Sequence, residues 1–244
     1  MIAFVVWFFV LIIIIFVSCG RYITKLIYSA RNKKIKEYCK QNRLTYYVTN
    51  SLDYGRLQDF ELLSGSLTEN FMTGKRGNVS FTICDLYKID SSSKVRAHYN
   101  YTTLIYFFSY DIDFPYFIIR RKNLIRKFLT FIFDLGEIKF EDDYSFSLDY
   151  ILKGTSKSDL KEFFTKNVRN VFLDNYVRGF SYEANQYYFL IKYEGIGLIP
   201  EIPGIGLFPS VNKRMELFKK AMQIYIKLTD AMPKCFRSSE EANN

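Results

Sequence analysis

Four carboxylates crowd one short stretch of the chain: Glu137, Glu141, Asp142 and Asp143. Two carboxylates held close can do acid/base work or bind a hard cation. An acidic turn between strands is ordinarily a solvated loop, and that is the competing explanation. The single histidine, His98, lies far from any metal-binding spacing of cysteines and has no identifiable partner that would make it a base. Gly195, Gly197, Gly204 and Gly206 come from a doubled Gly-Ile-Gly-Leu, which differs from the Gly-x-Gly-x-x-Gly of dinucleotide sites. A phosphate loop, a nucleophile elbow and a His-Glu-x-x-His pair are all missing from the sequence. The residues therefore predict no catalytic set, no metal and no cofactor, and lean away from an enzyme. The alternative is a membrane-surface enzyme acting on lipid or a phosphorylated metabolite, with the acidic turn and the glycine loop around a pocket.

The elements that must position these residues begin with a run of twenty, Met1 to Gly20, without a charged side chain. As a helix it would be about 30 Å long, the thickness of a bilayer's hydrocarbon core. Ile2, Trp7, Leu11 and Phe16 mark it as a candidate membrane anchor. Behind it, up to Arg43, come eight basic residues against one acid, Glu37, so this stretch carries +7 of the formal +9. Arg21, Lys25, Arg31, Lys33, Lys34 and Lys36 are the candidate contacts to anionic lipid headgroups. Basic flanks stay in the cytoplasm, which predicts N-out/C-in topology with a cytoplasmic domain at the inner (plasma) membrane. A nucleic-acid binder would carry its excess charge on the folded domain, so nucleic acid is not an expected partner. Phe16-Val-Ser-Cys19 gives a second alternative, a lipoprotein anchored through Cys19. The four cysteines form no Cys-x-x-Cys pair and read as free thiols.

The rest reads as one α+β domain with a mainly antiparallel sheet, packed helices and a C-terminal helix. The expected boundaries are a membrane helix over 1–20, a basic juxtamembrane helix over 21–44, a linker over 45–55, the domain over 56–232 and a disordered tail over 233–244. Strands are predicted over 56–63, 69–73, 79–87, 96–110, 114–119, 137–140 and 144–152, with a hairpin of 177–184 and 186–193 around Asn185. Tyr99 to Tyr110 is apolar on both alternating faces at its centre, the pattern of a strand covered on both sides, and should lie mid-sheet. Arg120 to Phe133 reads as a basic amphipathic helix, which makes Arg120, Arg121, Lys122, Arg126 and Lys127 candidate lipid or partner contacts along with the four loop glycines. Ser156 and Asp159 have capping-box spacing at the start of a helix reaching Leu173, with a break inside it. Ser210 should cap the last helix, whose Met215, Phe218, Met222 and Tyr225 share a face.

With these segments placed, the chain resembles a family of uncharacterised bacterial membrane proteins. The matching residues are Lys36-Glu-Tyr-Cys-Lys-Gln-Asn-Arg-Leu-Thr-Tyr46, Phe60-Glu-Leu-Leu-Ser-Gly65, Asn70-Phe-Met-Thr-Gly74, Val79-Ser-Phe-Thr-Ile-Cys-Asp85, Phe114-Pro-Tyr-Phe-Ile-Ile-Arg120, Ile138-Lys-Phe140 and Phe146-Ser-Leu-Asp-Tyr-Ile-Leu-Lys-Gly154. The resemblance implies one N-terminal membrane helix, a basic stalk and a cytoplasmic α+β domain, and it brings no reaction and no site residues. The expectation is a non-enzymatic binding, scaffolding or regulatory module with a protein partner.

Overall fold

The computed structural model describes residues 2–48, 60–64, 66–88, 102–122, 137–194 and 211–237, and within the first helix most side chains before residue 29 are outside that description. A single helix, α1 (Ile2–Gln41), opens the chain. At 1.5 Å per residue it is about 60 Å long. Its last turns are part of the domain: Ile35 and Cys39 are fully buried in the main core. Only then does the chain turn, with Arg43 in the left-handed region at φ 56°, into β1 (Thr45–Tyr47). Two expectations are corrected here. The juxtamembrane helix is not a free stalk along its whole length, and the first residues of the 45–55 linker form a strand paired with β2 (Ser66–Arg76). Gly74 makes that approach possible, because a Cβ there would sit 2.7 Å from the Leu44 side chain and 2.5 Å from the Phe81 ring.

Among the described residues, eight strands form one sheet in which every neighbouring pair is antiparallel. The remaining strands are β3 (Val79–Lys88), β4 (Thr102–Phe108), β5 (Phe114–Arg121), β6 (Tyr150–Gly154), β7 (Phe180–Gln186) and β8 (Tyr188–Tyr193), and the order across the sheet is β1-β2-β3-β4-β8-β7-β5-β6. β4 is central and buried on both faces, as its sequence predicts. Ile105 and Phe107 enter the main core, while Leu104 and Tyr106 enter a second cluster on the other face. Among the described residues the main core lies under α1 and four further helices: α2 (Tyr144–Asp149), α3 (Lys157–Phe163), α4 (Lys166–Asp174) and α5 (Val211–Ala231). Phe107 stacks on Tyr225 of α5 at 4.5 Å between centroids, a geometry that adds about 0.5–1.5 kcal/mol beyond area burial. The other face is covered by Phe60 and a short 3-10 turn, Glu61–Leu63, where the sequence predicted a strand.

Local capping explains the other departures. Tyr144 to Asp149 reads as alternating strand, but the Asp143 carboxylate accepts from the Phe146 amide and starts the helix α2 (Tyr144–Asp149), after which β6 begins. Glu137 to Phe140 joins no ladder; only the Ile138 amide reaches the Leu152 carbonyl. Ser156 caps α3 through the Asp159 amide as expected, and the expected break falls at Phe164, after which Thr165 caps α4. The hairpin turns at Gln186 and Tyr187, one residue beyond Asn185, with Gln186 at φ 49°. The tail is ordered to Arg237, where Phe236 packs edge-on against Phe163 at 5.2 Å. Among the described residues no helix is long and apolar enough to cross a membrane.

Candidate functional site

The most elaborate polar arrangement joins the end of α1 to the sheet and to α5. Asp85 lies in β3 with none of its surface exposed, facing the helices between the apolar Cys84 and Leu86 of the opposite face. Arg31 of α1 donates through Nη2 to both carboxylate oxygens, at 2.8 and 2.6 Å. Arg214 of α5, also fully buried, holds its Nη1 3.7 Å from the same carboxylate and donates from Nη2 to the Asn70 carbonyl at 3.2 Å. Asn70 sits at a β2 bulge in the left-handed region, φ 56°, a conformation that asparagine tolerates better than most residues. Its side-chain Nδ2 donates to Asp85 at 3.0 Å, and its side-chain Oδ1 accepts from the Tyr46 hydroxyl at 2.9 Å.

Two guanidiniums thus share one carboxylate away from water. Burial pulls the Arg214 guanidinium below its ordinary value, and the Asp85 charge opposes that. Burial pushes the nearby Cys39 thiol up to about 11, so it stays protonated and inert. Asp85 is fully buried and accepts three hydrogen bonds, from Arg31 and Asn70, with Arg214 close by, so the arrangement is a clamp.

A second buried carboxylate, Glu183 of β7, works without a cation on it. Its two oxygens accept from the amides of Glu61 and Leu62, at 2.8 and 2.7 Å, and the Tyr116 hydroxyl donates at 3.3 Å. It therefore pins the 3-10 turn to the far face of the sheet. Burial raises the Glu183 carboxyl against the lowering effect of these hydrogen bonds. Burial and the Glu183 charge together push Tyr116 up to about 12.

The acidic turn does not converge on a pocket. Glu137 is buried in an ion pair with Lys122 at 2.6 Å, Asp142 and Asp143 both bind Arg169, and Glu141 faces solvent. No group of metal-ligating side chains occurs among the described residues. Lys122, predicted to be a surface contact, is inside, where it also donates to the Ser147 carbonyl. Arg120 and Arg121 belong to β5 and not to a helix; they pair with Glu61 and Asp149, and Arg121 lies over the Tyr176 ring at 3.8 Å. Arg31 is likewise withdrawn from the predicted headgroup contact, whereas Lys33, Lys34 and Lys36 are exposed. Trp7 and Leu11 are exposed along α1. The side chains of Ile2, Phe16, Arg21 and Lys25 lie outside the described residues, as do His98, Arg126, Lys127, Gly195, Gly197, Gly204 and Gly206 altogether. A shallow open groove of about 340 Å³ between α4 and α5, lined by Asn167, Asn170, Asp174, Asn175, Lys227 and Asp230, has no nucleophile beside a base.

Neither Asp85 nor Glu183 stands out in sequence. Asp85 interrupts the apolar Ile83-Cys84 and Leu86, a signal that could have flagged it, whereas Glu183 sits in the mixed strand Phe180-Ser-Tyr-Glu-Ala-Asn-Gln186 and carries none. The fold and these clamps define the class: an α+β domain whose antiparallel sheet is bolted to a long N-terminal helix. No protein-family model and no curated protein matches the chain. Among solved structures it is similar to the mycobacterial trehalose monomycolate transport factor A, TtfA, at 10% sequence identity and a TM-score of 0.50, over 83% of this chain and 96% of that one. The likeness is one of fold.

Proposed function

We propose that this chain is a single-pass membrane protein, N-out/C-in at the inner (plasma) membrane, whose cytoplasmic domain is a non-enzymatic binding, scaffolding or regulatory module. The observation that carries the reading is the continuity of α1, which starts in a stretch without charge and ends inside the domain core. Eleven residues separate Gly20 from Arg31, about 16 Å of helix. With roughly 5–7 Å of that in the headgroup layer, the clamped end of the domain stands about 10 Å from the lipid surface, close to one Debye length. Arg21 and Lys25 fall at headgroup level, where each basic side chain near the surface contributes about 1 kcal/mol on anionic lipid, whereas Lys33, Lys34 and Lys36 lie beyond about one Debye length and add little. The ion pairs that occupy Glu137, Asp142 and Asp143 weigh against the enzyme reading. The fold shared with a transport factor assigns no cargo to this chain.

Alkaline extraction of native membranes tests the span: the full chain should remain in the pellet, and protease should reach the domain only from the cytoplasmic side. A periplasmic reporter that is active when fused at Asn244 would overturn the topology. A mature mass beginning at acylated Cys19 would replace the span with a lipid anchor.

A further inference from the structure

At the end of the sheet away from the Asp85 clamp, four aromatic rings pack edge-to-face and tilted against one another at the surface. Phe108 ends β4, directly across from Tyr188 at the start of β8. Ring centroids lie at 4.6 Å for Phe108 and Tyr110, 4.9 Å for Phe108 and Tyr188, and 5.2 Å for Tyr110 and Tyr187. Tyr188 continues the series inward to Phe60 of the second core, at 6.1 Å. Tyr110 is 64% exposed and Tyr187 37% exposed, so the outer rings face water while the inner ones are held by the core.

Single exposed tyrosines need no explanation, but a contiguous ring cluster anchored in the core has the form of a binding surface. Tyrosine is enriched among the residues that carry binding energy, and rings already locked by neighbours lose little entropy on contact. The chain from β4 to β5 passes over the β7–β8 turn, with the Ser109 amide donating to the Tyr187 carbonyl, and this sets the charge beside the rings. On the β5 side of the ring cluster are Asp111 and the exposed Asp113, neither of which forms an ion pair with another described residue. On the other side, on the β2–β3 hairpin, are the exposed Lys75 and Arg76.

We infer that the ring cluster Phe108, Tyr110, Tyr187 and Tyr188, with Asp111 and Asp113, docks an extended arginine-bearing segment of a protein partner. Guanidinium groups lie flat on tyrosine faces and pair with carboxylates, and the segment from Ser109 to Phe114 carries both acids past the turn that bears Tyr187. Lys75 and Arg76 fix the orientation, because a cationic segment must enter over the acidic flank. The inference deepens the binding-module reading by naming its surface; the rings lie at the end of β4 opposite the one nearest α1's clamp, and so face away from the proposed bilayer.

Fluorescence anisotropy of a short fluorescein-labelled Pro-Arg repeat peptide, titrated with the full chain in zwitterionic nanodiscs or detergent, tests it. Saturable binding is expected, and a Pro-Gln repeat of equal length should bind several-fold more weakly. Tyr110→Ala with Tyr187→Ala should weaken the Arg peptide roughly tenfold, the sum of two exposed cation–π contacts. Asp111→Asn with Asp113→Asn should abolish the preference for Arg over Gln while leaving weak binding. All these side chains are at the surface, and unchanged melting of the variants checks that the fold survives. Absence of saturable Arg-peptide binding, equal affinity for the two peptides, or full affinity in the tyrosine variant would overturn the inference. So would concentration-dependent self-association lost on Tyr110→Ala, which assigns the rings to a second copy. None of these outcomes depends on the membrane span, so failure here is distinct from failure of the topology.

Discussion

Asp85 and Glu183 are both carboxylates with no exposed surface, set in the same sheet, yet they are satisfied in opposite ways. Asp85 is met by two guanidiniums and an asparagine amide, from α1, α5 and the β2 bulge. Glu183 is met by two backbone amides and a tyrosine hydroxyl. The difference reflects what each one holds. Asp85 joins two long helices to the sheet through side chains, where charge is available, whereas Glu183 holds a single 3-10 turn whose free amides are the natural partners of an acid. The first is a clamp between the N-terminal helix and the domain, and the second is a pin for a short cover.

The comparison predicts a ranking of effects. Asp85→Ala leaves two buried guanidiniums without their carboxylate and should cost about 3–5 kcal/mol, read by denaturant unfolding of the full chain. An effect smaller than that of Glu183→Ala would show that the clamp is not the main link. Glu183→Ala removes the acceptor of two amides and should cost about 2–3 kcal/mol. Because Glu183 has a carboxyl raised above its usual 4.5, the folded state binds its proton more tightly than the unfolded one. Through this group, stability should rise as pH falls from the raised value toward 4.5, and Glu183→Gln should remove that rise. Asp143 gives the opposite sign. Burial raises it, but the Phe146 amide and Arg169 outweigh burial and hold it below 3.8, so its contribution is present above that value and lost as the solution is acidified through the lowered one. The smallest effect belongs to the exposed pair Arg120–Glu61, where Arg120→Ala should change stability by less than about 1 kcal/mol.

What could be read from sequence follows the range of the interaction that decides it. β4 is legible because an apolar run on both alternating faces has one stable place, the middle of a covered sheet. Ser156 and Asp159 are legible because a cap is decided within four residues. β1 is not, since Thr45 to Tyr47 becomes a strand only by pairing with Phe71 to Thr73. Arg31 is the most instructive miss. Counted by charge it joins the basic segment, and only the position of Asp85, 54 residues away, takes it from the surface into the core. Lys122 repeats the lesson, one basic residue in a cluster being chosen by buried Glu137.

On the proposed topology one helix, α1, serves both a bilayer and the domain. Hydrogen exchange along α1, in the full chain reconstituted in nanodiscs, addresses both halves together. Slow exchange is expected over 2–20, from the bilayer, and again over 31–41, from the Asp85 clamp and the core around Ile35 and Cys39, with faster exchange between the two. Fast exchange over 2–20 would contradict the span, and fast exchange over 31–41 would contradict the clamp.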